Sequence, residues 1–300
     1  MIGIIMEQLR RMGMLLSQEM MIKISFRKHK GYWPDLQNPK TFSEKIQWFK
    51  RYVRDPVIPR CADKYLVREY VTKKIGGGYL VPLLGVYNSV EEVRLADLPE
   101  EFVLKPNHLS GEVLICKDKE HFDWSAARKR MEKWLKTNYY YQTGEWGYKD
   151  IQPRILCEKL LQENIIDYKF FCFNGRPALV DVIGNRRKNK TYNDIFVDLN
   201  FDLIAVGANT GGGLEVQRPK NWEEMIHIAQ ILSKDFPFVR VDLYDEGQIF
   251  FGELTFSPAN GMDAEMTEEL DKRLGQLYDV DSFREEIKRE NKVGYWVHIK

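Results

Sequence analysis

Residues 238–255 read FVRVDLYDEGQIFFGELT, and the fold prediction rests mainly on this segment. Two apolar runs, residues 238–243 and 248–254, flank Asp245-Glu246-Gly247, whose residue types are typical of a turn. This pattern predicts a β-hairpin, in which residues opposite each other on the two strands share one face of a sheet.

Three charged residues interrupt the apolar pattern of this hairpin. Asp242 and Glu253 place one carboxylate on each strand, and Arg240 adds a cation two residues from Asp242. Magnesium takes oxygen ligands and usually borrows one or two carboxylates, while phosphate oxygens and water complete its coordination. The pattern predicts that Asp242 and Glu253 share a magnesium ion while Arg240 contacts a phosphate. The alternative is a solvated hairpin face, but the surrounding apolar residues favour a cleft.

A second segment, residues 102–116, reads FVLKPNHLSGEVLIC. Its two β-rich ends predict a hairpin with a polar loop between them. Lys105 ends the first strand, which fixes its ammonium group at a position suited to a phosphate. His108, Ser110 and Gly111 follow in the loop and would supply backbone amides and a hydroxyl to the same anion. Any strand can end in a lysine, so this segment alone is weak evidence for a phosphate site. It supports one only in combination with the hairpin of residues 238–255.

A third segment consists of two apolar runs, residues 155–161 (ILCEKLL) and 167–171 (DYKFF), with a short polar loop between them. Backbone groups of residues 159–161 can read the edge of a purine, and Asp167 has the acceptors that a ribose hydroxyl needs. The segment therefore predicts an adenine and ribose site. The alternative is an ordinary hairpin with surface charges.

Local signals place further elements. Thr41-Phe42-Ser43-Glu44 fits a capping box and predicts a helix to about Tyr52, and a second helix is expected over residues 62–73. Asn174-Gly175 predicts a tight turn between two strands, and residues 222–232 predict another helix. Antiparallel strands mixed with helices indicate an α+β fold.

Composition narrows the class of protein. The chain has 300 residues and a formal net charge of +1, with both signs intermixed along the sequence, so no binding to nucleic acid is expected. The four cysteines are far apart and lack metal-ligand spacing, which predicts neither a zinc site nor a disulfide framework. A reducing cytoplasm is the expected location.

The N-terminal residues 1–24 are apolar in places, but charged residues interrupt them before about 18 apolar residues accumulate. This excludes a membrane span or a signal peptide. One apolar stripe recurs at helical spacing, formed by Ile5, Leu9, Met12, Leu16 and Met20. The stripe either packs in the core or docks peripherally at the inner face of a membrane, and the sequence leaves both readings open.

The order of these segments resembles the ATP-grasp superfamily, and five strings resemble its TupA-like family, linked to teichuronopeptide and surface-polysaccharide biosynthesis. The strings are NPKTFSEKIQWFK, ADKYLVREYV, FVLKPNHLSGEVLICKDK, DYKFFCFNGRP and FPFVRVDLYDEGQIFFGELTFSPANG, and the resemblance covers residues 38–271. It implies an ATP-grasp fold, in which two α+β subdomains clasp ATP between antiparallel sheets. The implied parts are an N-terminal amphipathic helical segment (1–37), an α/β part (38–100), a small subdomain (101–162) and a large subdomain with the metal site and C-terminal helices (163–300).

The resemblance implies roles for individual residues. ATP would be held by Lys64, Lys105, Ser110, Glu158, Lys159, Leu160, Leu161, Asp167 and Lys169. Mg²⁺ would be held by Asp242 and Glu253 with Thr255, and the catalytic residues would be Arg240, Lys105 and His108. Arg186 would contact the substrate.

Two departures from the family pattern stand out. Thr255 occupies the position where ATP-grasp ligases usually carry an asparagine, and its single oxygen is a weaker metal ligand. Leu109 and Glu112 stand in the loop where relatives are expected to carry glycines. The first departure affects metal binding, and the second affects how the loop closes over phosphate.

The implied reaction is attack of a substrate carboxylate on the γ-phosphate of Mg-ATP, giving an acyl phosphate that an amine captures. The carboxylate would belong to a uronic acid or an amino acid, and polysaccharide-assembly proteins are the expected partners. Two alternatives remain open at this point. One is a glycosyl- or phosphotransferase acting on a polysaccharide precursor, and the other is a nucleotide-binding scaffold without turnover.

Overall fold

The computed structural model describes residues 17–162, 165–185, 192–206, 214–264, 266–281 and 284. The predictions for Arg186 and for the first four members of the apolar stripe lie outside these ranges.

Two antiparallel sheets form the framework of the molecule. The first has the order β1-β4-β2-β3 and consists of β1 (Leu83–Tyr87), β2 (Phe102–Pro106), β3 (Leu114–Cys116) and β4 (Ile155–Glu158). The second has the order β10-β9-β5-β6-β7-β8 and consists of β5 (Asp167–Phe173), β6 (Arg176–Gly184), β7 (Asn193–Val197), β8 (Leu203–Val206), β9 (Phe238–Asp245) and β10 (Ile249–Thr255). The α+β fold with two antiparallel sheets is confirmed.

The described residues contain eight α-helices around these sheets. They are α1 (Gln18–Lys30), α2 (Phe42–Tyr52), α3 (Val57–Ala62), α4 (Val67–Ile75), α5 (Trp124–Lys136), α6 (Tyr139–Thr143), α7 (Trp222–Ser233) and α8 (Glu268–Leu277). The capping box is present at the start of α2: the Thr41 hydroxyl accepts from the Glu44 amide at 3.2 Å, and the Glu44 carboxylate accepts from the Thr41 amide at 3.2 Å.

The helix expected over residues 62–73 is in fact two helices, α3 and α4, because Asp63 interrupts it. The Asp63 carboxylate accepts hydrogen bonds from the amides of Tyr65 at 2.7 Å and Leu66 at 3.2 Å. It also accepts from the side-chain amide of Asn107 at 2.9 Å, and the Lys64 amide donates to the Asn107 carbonyl at 3.0 Å. The break therefore ties Lys64 to the loop that follows β2.

The two runs predicted to hold adenine lie in different sheets. Residues 155–158 form β4 between β1 and β2, whereas residues 167–173 form β5 between β9 and β6. The alternative of an ordinary hairpin is therefore wrong. The polar loop between these strands passes from one sheet to the other.

Alternation along β5 separates the core from the charged face of the larger sheet. Tyr168 and Phe170 pack against Trp222 of α7, with ring centroids 5.9 and 5.3 Å apart. Side chains alternate along a strand, so Asp167 and Lys169 face the opposite side. That side lies towards the smaller sheet.

Helix α1 packs through a different set of residues from the predicted stripe. Met20, the described member of the stripe, is 44% exposed, whereas Met21, Ile22 and Phe26 are buried. Within the described ranges, no helix is long and apolar enough to cross a membrane.

Candidate active site

A cleft of about 560 Å³ lies between the two sheets. Twelve of the residues predicted to bind ATP or metal or to be catalytic line it together, which are Lys64, Lys105, Ser110, Glu158, Lys159, Leu160, Leu161, Asp167, Lys169, Arg240, Asp242 and Glu253. The larger sheet supplies the acidic wall and the smaller sheet the opposite wall.

Asp242 is held in the cleft by three charged hydrogen bonds. Arg240, two residues earlier on β9, donates from Nε to Oδ1 and from Nη2 to Oδ2, both at 2.7 Å. Lys169 stands opposite Asp242 on β5 and donates from Nζ to Oδ2 at 2.6 Å. Bidentate arginine–carboxylate contacts of this kind are both strong and geometrically specific. Asp242 thus enters the cleft with both oxygens bound by protein cations.

Electrostatics keep these two cations charged. Burial alone would lower the pKa of the Arg240 guanidinium, but Asp242 and Glu253 raise it above its ordinary value. Burial and the neighbouring Arg240 lower the pKa of the Lys169 ammonium, yet Asp242 and Asp167 outweigh them and raise it. Both groups therefore stay protonated at neutral pH.

Glu253 reaches the cleft because of a β-bulge at Gly252. Phe251 stands opposite Leu243, but Glu253, not Gly252, stands opposite Asp242. Such a bulge inserts one extra residue and re-aims the side chains that follow. Burial would raise the pKa of the Glu253 carboxyl, but the nearby cations Lys64 and Arg240 pull it below its ordinary value. Glu253 is therefore an ionised carboxylate beside Asp242.

Thr255 closes a ring of hydrogen bonds instead of facing the cleft directly. Its hydroxyl accepts from Arg240 Nη2 at 3.1 Å and donates to Glu253 Oε1 at 2.9 Å. Arg240 Nη2 also lies 3.3 Å from Glu253 Oε1. The hydroxyl thus holds Arg240 and Glu253 in place, and its predicted contact with a metal stays a prediction.

The acidic wall fits a magnesium ion that keeps most of its ligands outside the protein. Asp242 and Glu253 offer two carboxylates side by side, and the Glu253 side chain is 28% exposed. No group of three or more acidic, histidine or cysteine ligands is arranged for a metal among the residues that the structure describes. Magnesium commonly takes one or two carboxylates and completes its shell with phosphate oxygens and water. The two carboxylates of Asp242 and Glu253 agree with this mode of magnesium coordination.

On the smaller sheet, Lys105 is positioned by Glu158. Its Nζ lies 2.6 Å from Glu158 Oε2, and the other carboxylate oxygen lies 3.6 Å from Arg68 Nη1. Arg68 also donates to the carbonyl of Val81 at 3.0 Å. The sequence prediction missed Arg68, although it lies within the quoted string ADKYLVREYV.

Lys64 links the two walls of the cleft. Its Nζ donates to the Leu109 carbonyl in the loop after β2 at 2.9 Å, and it lies 3.3 Å from Glu253 Oε2 on β10. An anion entering between the sheets would meet this ammonium together with that of Lys105. The sequence prediction missed Asp63 and Asn107, which hold this lysine through the helix break.

His108 is not among the residues that line the cleft, and its predicted catalytic role stays a prediction. The residue is 2% exposed, with Nδ1 3.0 Å from Asn107 Oδ1 and Nε2 3.1 Å from the carbonyl oxygens of Trp134 and Thr137. Burial lowers the pKa of the imidazole. His108 therefore anchors the loop to the end of α5.

Part of the lining of the cleft is apolar. Its lining includes the branched apolar side chains of Leu160, Leu161, Val81, Val103, Val113 and Ile115. The Lys159 amide donates to the Pro82 carbonyl at 3.0 Å. This hydrogen bond joins the end of β4 to the residue before β1. A flat aromatic ring fits between such walls, with polar groups only at its edge.

Comparison with known proteins gives one family match. The family model described as TupA-like ATPgrasp matches residues 44–279. The sequence matches no curated protein.

Several solved structures are also similar to the chain. D-alanine–D-alanine ligase from Bacillus anthracis, complexed with ATP, is 14% identical, with a TM-score of 0.43, and the match covers 76% of this chain and 66% of that one. L-amino acid ligase from Bacillus licheniformis is 11% identical with a TM-score of 0.43, and the match covers 73% and 48%. Phosphoribosylamine–glycine ligase from Thermotoga maritima is 16% identical with a TM-score of 0.40, over 70% and 52%. The chain thus spans about half to two thirds of the length of these proteins.

Proposed function

The chain belongs to the TupA-like ATP-grasp family, and on that premise we propose that it is a Mg-ATP-dependent carboxylate–amine ligase. The substrate carboxylate is activated as an acyl phosphate, and an amine captures the acyl group. ATP, Mg²⁺, a carboxylate-bearing sugar or amino acid, and an amine are the proposed ligands.

One observation carries this proposal: the charged residues that line one cleft between two sheets include four cations predicted to bind phosphate and two adjacent carboxylates. The cations are Lys64, Lys105, Lys169 and Arg240, and the carboxylates are Asp242 and Glu253. Buried charges are costly unless they are paired, and a set of this size is hard to explain by stability alone. It suits a ligand that brings several negative charges together with a divalent metal.

The residues of the cleft divide the proposed work between them. Lys105 and Lys64 hold phosphate oxygens from the smaller sheet and from the helix break, while Arg240 and Lys169 face the phosphoryl group that moves to the substrate. Magnesium, when bound at Asp242 and Glu253, would neutralise charge on the phosphates. Arg240 and Lys169 both bind Asp242 in the structure. When ATP binds, its phosphate oxygens would become additional partners for these two cations. Catalysis then consists mainly of alignment and charge stabilisation.

The biological setting is part of the same proposal. The resemblance to surface-polysaccharide proteins supports a uronic acid or amino-acid carboxylate as the substrate. The four cysteines are all free and buried, which agrees with a cytoplasmic location. The division at residues 37, 100 and 162 also stays a proposal, and β1, from the predicted 38–100 part, pairs with β4 across the second boundary.

The test is calorimetric binding of AMP-PNP, a non-hydrolysable ATP analogue, with and without Mg²⁺. Native protein is expected to bind it in a magnesium-dependent way, and the double variant Asp242→Asn, Glu253→Gln is expected to lose that dependence. Glu120→Gln removes one exposed carboxylate away from the cleft and serves as the matched control.

Three results would count against the ligase. Absence of AMP-PNP binding by native protein would refute a nucleotide site. Binding of AMP-PNP without ADP release from ATP, across a panel of uronic and amino acids with amines, would favour the nucleotide-binding scaffold. Carboxylate-dependent ADP release that needs no amine would favour the transferase.

A further inference from the structure

Helix α1 has two faces with different surroundings. Its inner face buries Met21, Ile22 and Phe26. Its outer face carries Met20 and Ile24, which are 44% and 36% exposed. Residues four positions apart on a helix lie one above the other, so these two side chains form an apolar strip directed away from the core. The proposed function gives this strip no role.

Contacts at both ends fasten α1 to the rest of the protein. At its start, Gln18 Oε1 accepts from Arg54 Nη2 at 3.2 Å. At its end, Lys30 Nζ donates to the Asp263 carbonyl at 3.2 Å and lies 3.6 Å from Asp271 Oδ2. These contacts hold α1 in one orientation, so the outer face is a fixed part of the protein surface.

Two exposed cations border the apolar strip. Arg27 and Lys28 follow Ile24 by three and four residues, which places them on the same side of the helix. Arg27 donates to the carbonyl of Gly31, and neither cation pairs with an acidic side chain among the residues that the structure describes. Their charges are therefore available to an anionic partner.

An exposed aromatic residue follows the helix. Trp33 lies three residues after the end of α1 and is 57% exposed. Tryptophan is enriched at the boundary between lipid and water, because its ring is apolar while its N–H needs a polar partner. Residues 20–33 thus expose apolar, aromatic and basic side chains within a short segment.

The sequence concentrates positive charge in the same part of the chain. Residues 1–33 contain six lysines or arginines and two acidic residues, whereas the rest of the chain contains 39 and 42. The predicted apolar stripe also ends at Met20, and the exposure of Met20 disagrees with core packing of this residue. A basic segment with an exposed apolar face is typical of helices that lie on membrane surfaces.

The chemistry of the outer face selects the partner. Nucleic acid would use Arg27 and Lys28 but would leave Met20 and Ile24 in water. The headgroup region of an anionic bilayer satisfies both kinds of side chain, since phosphates attract the cations and the acyl boundary takes up the apolar groups. Long basic side chains can keep their charges among the headgroups while their stems cover apolar surface.

We propose that the outer face of α1 docks on an anionic membrane surface. Met20 and Ile24 enter the boundary between headgroups and acyl chains, and Arg27 and Lys28 lie over lipid phosphates. The contact is peripheral and reversible. It does not depend on the ligase reaction, and it brings the nucleotide cleft close to substrates that are themselves attached to lipid.

Vesicle sedimentation tests this docking with two kinds of vesicle, phosphatidylcholine alone and phosphatidylcholine with phosphatidylglycerol in equal parts. Native protein is expected to sediment with the mixed vesicles only, and added salt should release it by screening the charges. Ile24→Gln should weaken the binding about tenfold, and so should Arg27→Gln combined with Lys28→Gln.

Matched controls come from other helices. Leu277→Gln removes an apolar side chain that is 43% exposed on α8. Lys129→Gln combined with Lys133→Gln removes two exposed lysines four residues apart on α5. Both controls should bind the mixed vesicles like native protein. All substituted residues are exposed, and thermal unfolding should show that every variant is folded.

Three outcomes overturn the proposal. Native protein that does not sediment with the mixed vesicles has no such docking surface. Equal sedimentation of native protein and the α1 variants places the contact elsewhere on the protein. Equal losses in the α1 variants and the controls indicate general electrostatic attraction. AMP-PNP binding should be the same in native protein and all variants, so failure of the docking leaves the proposed ligase function untouched.

Discussion

Arg240 and Asp242 lie two residues apart on β9 and are joined by two parallel hydrogen bonds, each 2.7 Å long. Residues at i and i+2 on a strand point to the same face, so this contact needs no distortion of the chain. It places a fixed guanidinium directly over one of the two proposed magnesium carboxylates. The first prediction follows from the geometry of that pair.

Arg240→Lys should lower the turnover number about 100-fold while the protein stays folded. A lysine cannot donate in parallel to both oxygens of Asp242, and a point charge replaces a planar fork. Loss of a preorganised donor at a reacting group commonly costs about 100-fold or more. ADP release under saturating ATP measures the effect, with Arg218→Lys as a control, because Arg218 pairs with Glu223 on the surface. Unchanged turnover would exclude Arg240 from the reacting centre.

Gly252→Ala should weaken magnesium-dependent AMP-PNP binding about tenfold. A Cβ at this position would lie 3.0 Å from the Tyr244 hydroxyl and 3.1 Å from the Asp242 carbonyl oxygen, so the bulge must shift. Even a small shift moves Glu253 away from Asp242. Gly78→Ala is the matched control, because nothing lies within 4 Å of a Cβ there. Calorimetry measures the affinity of both variants for AMP-PNP in the presence of Mg²⁺. Equal affinities would mean that the bulge does not set the geometry of the metal site.

This bulge also marks the limit of sequence-based prediction in this chain. The capping box at Thr41 and Glu44 is local, and the hairpin of β9 and β10 follows from alternation and turn residues, so both were predictable. The position of Glu253 depends on one unpaired residue, Gly252. The alternation of apolar and polar residues in this strand does not predict that Gly252 is unpaired. The local alternation would have placed Gly252 opposite Asp242.

Two further differences between expectation and structure have a long-range origin. Lys64 reaches the cleft because Asp63 breaks a helix while holding Asn107, which is 44 residues away. His108 was expected near phosphate because of its neighbours in the loop. Carbonyl acceptors at the end of α5 hold it instead, and their approach depends on tertiary packing. Sequence strings that resemble a family carry such information, whereas spacing alone does not.

Lys105→Met should weaken AMP-PNP binding about tenfold with little change in stability. The variant removes a cation from the phosphate side of the cleft, but Glu158 keeps Arg68 as a partner. Because Glu158 keeps this second cation, no buried carboxylate is left unpaired, so the unfolding midpoint should hardly move. Lys129→Met, on the exposed face of α5, is the control. A large fall in stability with unchanged affinity would make Lys105 a structural residue.

The carboxyl of Asp181 should make stability depend on pH. An unfolded aspartate has a pKa of about 3.9, whereas burial raises the pKa of Asp181 to about 8, against the opposing charges of Lys169 and Arg240 and with the support of Asp194 and Asp263. Between these values the native state holds the extra proton, so the free energy of unfolding contributed by this group falls as pH rises from about 4 to about 8.

Asp181→Asn removes this dependence and should therefore gain stability over the native protein as pH rises. The gain should be near zero at pH 4 and at least about 1 kcal/mol at pH 8, since one pKa unit corresponds to about 1.4 kcal/mol. Urea unfolding at both values measures it, with Asp202→Asn as the exposed control. A gain that does not change with pH would show that the carboxyl is not protonated in the native state.

Phe26→Ala should destabilise the protein by about 3–5 kcal/mol, the usual cost of truncating a buried phenylalanine. Phe26 is fully buried in α1 and meets Tyr32 edge to face, with ring centroids 5.2 Å apart. Met20 on the same helix is 44% exposed, so Met20→Ala should change the free energy of unfolding by less than about 0.5 kcal/mol. Urea unfolding of both variants compares the two faces of α1. If Met20→Ala proved the more costly, the face of α1 that carries the predicted apolar stripe would be the packed one.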